Sequence, residues 1–335
     1  MTIASQDIFR QKDAASSHGN TEGVLSGVNE QIIFLSFSAL AGLILALALG
    51  AAGLPLASAT PLVKPPKRVK VFRDKFGQQA ATLALLLGVA GLAALASAGV
   101  VLHYRFPDVT AFWLAWPLPA LPLAGCLLGA GVLTSIYRAA WQGMKNRRAL
   151  HASLGLAASV LAWAFGYLAL AFFRHFVLSP TQLTSDMAFF LPPADSCAWL
   201  LLPLLFALSL SQAGALVTLY CILRRNKDDF GRDYYTYALK LGAKWALPAA
   251  AAAMACQAGL LAKLWPLVRD LPARPLIFWS SATALGALAL ACILWILVIR
   301  NQTPLRLKLH LITAWVLSWV GLSGLCAAYA RIFLG

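Results

Sequence analysis

The residues best able to do chemistry in this chain are its histidines, of which there are five in 335 residues. Two imidazoles can hold a b-type haem, and one can bond a quinone oxygen. His18 lies in a polar N-terminal segment, away from any apolar run. His103 is followed by Tyr104, Arg105 and Asp108, and the pair Arg174-His175 closes a later apolar stretch. A quinone ring needs an apolar slot with a few donors at its carbonyls. His103, Tyr104, Arg105, Arg174 and His175 supply such donors, and Asp108 is the one nearby acid to take protons. The same residue types also populate any interfacial loop, so the cluster is a quinone-site candidate, with a b-type haem as the less favoured ligand. His151 and His310 start two other apolar stretches, where seats among lipid headgroups are the plainer role.

A second polar set is Ser209, Ser211 and Gln212, with Ser36 and Ser38 in an earlier stretch. These residues suit interhelical hydrogen bonding, and alternatively the lining of a substrate path. A third is the charged run RRNKDDFGRDYY, Arg224 to Tyr235. It reads either as acids that hold a metal or as the wet turn between two membrane helices, with the turn favoured and its extra acids left as a partner-docking surface. The six cysteines form no CxxC pair and no CxxCH motif, which gives no support to a c-type haem, an iron–sulfur cluster or a metal site in this chain. Nucleotide-binding and hydrolase motifs of soluble enzymes are missing as well.

The elements that must position these groups are membrane helices. Hydrophobic residues make up 60% of the chain, charged residues 12%, and the mean hydropathy is +0.74. Eight apolar runs are long enough to cross a bilayer: 32–54, 79–102, 111–137, 152–172, 198–223, 245–261, 276–299 and 311–333. No Asp, Glu, Lys or Arg falls in the middle of any of them, which weakens a proton-driven pump or transporter. The net charge of +15 then reports orientation rather than nucleic-acid binding. Lys and Arg concentrate after the odd-numbered runs, with six in 64–75, four in 138–148, six in 224–244 and three in 300–308. This places both termini outside and the basic loops in the cytoplasm. Residues 1–31 read as a disordered outer tail.

The polar landmarks recur. Arg73-Asp74 matches Arg232-Asp233, and His151 matches His310, both at 232 − 73 = 310 − 151 = 159. Phe76 pairs with Tyr235 and Ser159 with Ser318 at the same offset. The expected fold is an all-α polytopic membrane protein of eight transmembrane helices. They form two tandem four-helix bundles, 32–174 and 197–335, related by a pseudo-twofold axis along the membrane normal. The outer loop 175–196 joins them and lies on the membrane surface or covers a partner contact.

The stretches FRDKFGQQAATLALLLGVAGL, LSPTQ and FGRDYYTYALKLGAKWAL resemble subunit I of cytochrome bd-type quinol oxidases. That family's haem-ligating positions read Glu30-Gln31-Ile32-Ile33 and Ser196-Cys197-Ala198-Trp199 here, and run 276–299 has no Met. The resemblance therefore implies a bd-like scaffold without its haems. In architecture the chain is also similar to polysulfide-reductase-type membrane anchors, which imply an outer-face quinone site and no haem.

Together these features predict a multi-pass subunit of a respiratory electron-transfer complex in a bacterial cytoplasmic membrane. It would interact with quinone, anchor cytochrome or iron–sulfur partner subunits, and be non-catalytic or quinol-oxidising. The alternatives are a small-molecule transporter and a structural or assembly protein.

Overall fold

The computed structural model describes residues 4–63, 69–105, 107, 117–144, 146–173, 190–271 and 273–333. The described chain is all-helical. Its long helices are α1 (Ala4–Val63), α2 (Lys70–Arg105), α3 (Pro117–Ala139), α4 (Arg148–Phe173), α5 (Ala198–Asp228), α6 (Arg232–Val268), α7 (Arg274–Arg300) and α8 (Lys308–Phe333). A 3₁₀ turn, Pro304–Leu307, leads into α8. All eight carry a segment long and apolar enough to cross a membrane, and a helix satisfies its own backbone groups there. α1 continues back to Ala4, where the composition predicts a disordered tail. No proline precedes Pro55, so nothing in that segment obliges the helix to stop.

The neighbouring pairs are α1–α2, α2–α3, α3–α4, α5–α6, α6–α7 and α7–α8, and α1 also packs against α4 and α5 against α8. α1 is the shared element, packed against α2 and α4 on one side and α5 and α8 on the other. Small residues permit its close contacts. A Cβ on Gly53 would stand 2.5 Å from the Ser209 carbonyl oxygen of α5, and one on Gly42 would stand 2.4 Å from Ser323 Oγ of α8. The α5–α6 crossing uses Gly214 and Gly242 in the same way. Packing of backbone on backbone is how helices associate where lipid removes the hydrophobic drive.

Pro55 lies inside α1 and its neighbours bond beyond the helix ladder. The Leu56 amide donates to Ser159 Oγ of α4 at 3.0 Å, and the Pro55 carbonyl accepts from Ser58 Oγ at 2.8 Å. Many large apolar side chains stay exposed, among them Phe37, Val89, Leu128 and Trp279. On a chain with eight candidate spans such side chains form the lipid-facing surface.

Candidate functional site

α2 is held at its basic end and loosely elsewhere. Arg138 Nε of α3 donates to Thr82 Oγ1 at 2.6 Å. One turn nearer that end, Gln79 is locked into α5 and α6: its Nε2 donates to Asp228 Oδ2 at 2.7 Å, and its Oε1 accepts from Tyr234 OH at 2.5 Å and Cys221 Sγ at 3.3 Å. Within the most apolar 18 residues of α2, none is buried. The separation of α2 from α1, α3 and α4 leaves a cavity of about 490 Å³.

Ala48 of α1, Leu85, Gly88 and Leu92 of α2, Gly131 of α3 and Phe165 of α4 are among its walls. The lining is apolar. Its only hydroxyls, Thr134 and Ser135, donate to the carbonyls of Ala130 and Gly131 on their own helix. The rim residues Val89, Leu95, Leu128 and Val132 are exposed, so the cavity communicates with the lipid-facing surface. Gly88 and Gly91 face open space, since a Cβ on either would meet nothing within 4 Å.

His103 stands on this same face of α2. It follows Leu85 by 18 residues, five turns, and Leu92 by 11, three turns. It lies about 12 Å along the helix beyond Leu95, the outermost cavity residue on α2. Its ring meets that of Tyr104 edge-on at 5.8 Å, and Tyr104 and Arg105 are exposed beside it. The helix thus presents an imidazole in line with the apolar slot, while Arg105, two residues further on, leaves the helix on the other side. Asp108, Arg174 and His175, the rest of the predicted outer cluster, lie outside the described residues.

The other predicted residues take structural places. His151 is buried at 3% exposure, and its Nε2 donates to the Tyr137 carbonyl at 2.9 Å. A carbonyl only accepts, so Nε2 carries the proton. Tyr137 stacks on the His151 ring at 4.4 Å, Trp141 meets it edge-on at 4.7 Å, and Tyr137 OH reaches Ser58 Oγ at 2.9 Å. His310 is half-buried. Arg73 Nε donates to Tyr237 OH at 3.1 Å, and Asp74 pairs with Arg148 at 3.9 Å. Arg232 and Asp233 are exposed in the first turn of α6, where the acid complements the helix dipole.

The DDFG turn is a helix-to-helix corner. Asp229 is left-handed at φ 31°, and Gly231 at φ 82° caps α6. Asp228 points inward to Gln79 and Arg224, not outward as a docking acid. Among the described residues no group of three His, Cys, Asp or Glu side chains is placed to hold a metal.

In the alternative path, Ser36 Oγ donates to the Ile32 carbonyl on an exposed flank and Ser38 Oγ to that of Phe34. Ser209 Oγ accepts from Trp163 Nε1 at 2.9 Å. Ser211 Oγ and the Gln212 carboxamide are buried without a partner among the described residues, as is the carboxamide of Gln257 in α6. Gln79 and Gln257 escaped the sequence reading. An amide at the edge of or within an Ala-rich stretch carries no spacing signal, though Gln257 is the one polar side chain between Trp245 and Leu261. No family model, curated protein or solved structure matches the chain.

Proposed function

We propose that the chain is a quinone-binding and anchoring membrane subunit of a respiratory electron-transfer complex, without a haem of its own. The observation that carries this reading is the apolar, laterally accessible cavity with His103 on the same helix face above it. A quinone has the matching form, a polar ring on an isoprenoid tail. The tail would lie against Leu85, Gly88 and Leu92, and His103 would donate to a ring carbonyl. The volume of about 490 Å³ falls in the range of small-molecule sites. Electrons would enter or leave through haem or iron–sulfur partner subunits. The basic helix ends lie in the cytoplasm in this proposal, which puts His103 at the outer face of a bacterial cytoplasmic membrane.

A tandem origin belongs to the same proposal. Supporting it, Arg73-Asp74 and Arg232-Asp233 lie near the starts of α2 and α6, and Ser159 and Ser318 are both fully buried in α4 and α8. The fourth helix of each half sends an indole to the first helix of the other: Trp163 Nε1 to Ser209 Oγ and Trp319 Nε1 to the Ala39 carbonyl, each at 2.9 Å.

Binding of a decyl-tailed quinone to the purified chain in nanodiscs tests the reading. His103→Ala is expected to weaken binding roughly tenfold, the scale of one lost hydrogen bond to a polarised carbonyl. Unchanged affinity in that variant would sink the assignment. A second reading, a transporter path, is favoured by one observation, the buried amides of Gln212 and Gln257, which have no partner among the described residues.

A further inference from the structure

A second cavity, of about 350 Å³, lies where the first turns of α2 and α6 meet. Phe72 and Val69 line it from the α2 side, and Asp233, Tyr237, Lys240 and Lys244 from α6. Those four positions follow i, i+4, i+7 and i+11, one stripe of a helix. Its back is fixed, with the Phe72 ring 6.0 Å from that of Tyr237 and Arg73 Nε on Tyr237 OH. Its two lysines are not fixed. Lys240 is half-buried and Lys244 exposed, and neither joins an ion pair among the described residues.

The depth of the cavity follows from the sequence of α6. The helix has 37 residues, about 55 Å at 1.5 Å each, far more than the roughly 30 Å of a hydrocarbon core. The uncharged run begins at Trp245 and ends before Lys263. Lys244 therefore stands at the hydrocarbon boundary, with Trp245 as its interfacial aromatic. Lys240 lies one turn further out and Tyr237 about two. The cavity occupies the headgroup layer. Asp233, its one carboxylate, sits 11 residues from Lys244 at the far end, so the boundary end is positive.

We infer that this cavity binds the phosphate of an anionic diacyl phospholipid. Lys240 and Lys244 would hold its oxygens, and the acyl chains would descend the flank of α6 from Leu241. Basic pockets between membrane helices take such headgroups, and the apolar wall of Val69, Phe72 and Leu241 suits a lipid better than a soluble anion. The site joins α2 to α6 at the contact that Gln79 and Tyr234 already clamp, so the lipid would staple the first four helices to the last four.

Thermal unfolding of the full chain in phosphatidylcholine nanodiscs, with and without phosphatidylglycerol, tests the site. Phosphatidylglycerol is expected to raise Tm for the wild type and for Lys240→Arg/Lys244→Arg, and not for Lys240→Gln/Lys244→Gln. All three should unfold alike in pure phosphatidylcholine. Lipid retention in native mass spectrometry should fall roughly thirty-fold in the glutamine pair, the combined effect of two interfacial cations. The exposed single variant Lys244→Gln should lose about fivefold, which serves if the pair does not fold. Undiminished retention in either glutamine variant would overturn the proposal. So would an equal Tm rise from inorganic phosphate in pure phosphatidylcholine, which would make the ligand a soluble anion.

Discussion

Gln79 Nε2 and Asp228 Oδ2 stand 2.7 Å apart and join α2 to α5 across 149 positions of sequence. The same amide uses both lone pairs of its oxygen, on Tyr234 and Cys221. Arg224 completes the carboxylate from its own helix at 2.8 Å. One neutral side chain thus ties three helices, and it does so where the surroundings are dry enough for each bond to count.

Gln79→Leu is therefore expected to cost about 3 kcal/mol, because it strands the Tyr234 hydroxyl and removes a donor from a carboxylate. Gln79→Glu should be worse, since it sets two carboxylates against each other. Arg224→Gln should cost the least of the three, as an i,i+4 pair whose Arg side chain is 41% exposed. Thermal or denaturant unfolding in a fixed detergent ranks the three. If Arg224→Gln proves the most damaging, the amide is not the centre of the junction.

His151 and His310 match in sequence and differ in surroundings. The Tyr137 carbonyl is in the last turn of α3, and the Trp141 amide bonds the Arg138 carbonyl instead. His151 fills that gap. His151→Phe keeps a stacked ring but orphans the carbonyl, so a loss of about 1–3 kcal/mol is expected. His310→Phe, at a half-buried position, should change stability by less. Equal losses at both would mean that the ring packing, and not the bond to Tyr137, is what matters. Quinone affinity per folded molecule should be the same in both variants.

The eight spans were legible because an apolar run of bilayer length has one outcome, a helix. The shared face of Leu85, Leu92 and His103 was equally readable from spacings of 11 and 18. The cavity below His103 was not. It arises because α2 is clamped at Gln79 and Thr82 and makes little contact above them, and a loose seat leaves no mark in an Ala- and Leu-rich sequence. The inward turn of Asp228 was hidden for another reason. Its partner is 149 positions away, in a Gln78-Gln79 pair that is unremarkable at a helix's polar end.

Filling the cavity separates tail binding from ring binding. Gly88→Leu and Gly91→Leu place side chains into open space, and each removes a residue that costs a helix interior about 1 kcal/mol. Both variants should fold at least as stably as the wild type. Both should lose most of their affinity for a decyl-tailed quinone while a tailless ring binds as before. If tailed-quinone affinity is untouched, the cavity does not hold the tail.

Gln212 and Gln257 decide between the two functional readings. Each buries a carboxamide with no partner in the described structure, and an unpaired amide away from water costs about 1–3 kcal/mol. As bystanders of a quinone-binding subunit, they should be replaceable. Gln212→Leu and Gln257→Leu are then expected to raise stability by about 1 kcal/mol each and to leave quinone binding intact. As groups lining a substrate path, they would be satisfied by water or cargo, and leucine would remove those partners. A fall in stability for both variants, with quinone affinity unaffected, would move the weight of the argument from α2 to the interior of α5 and α6.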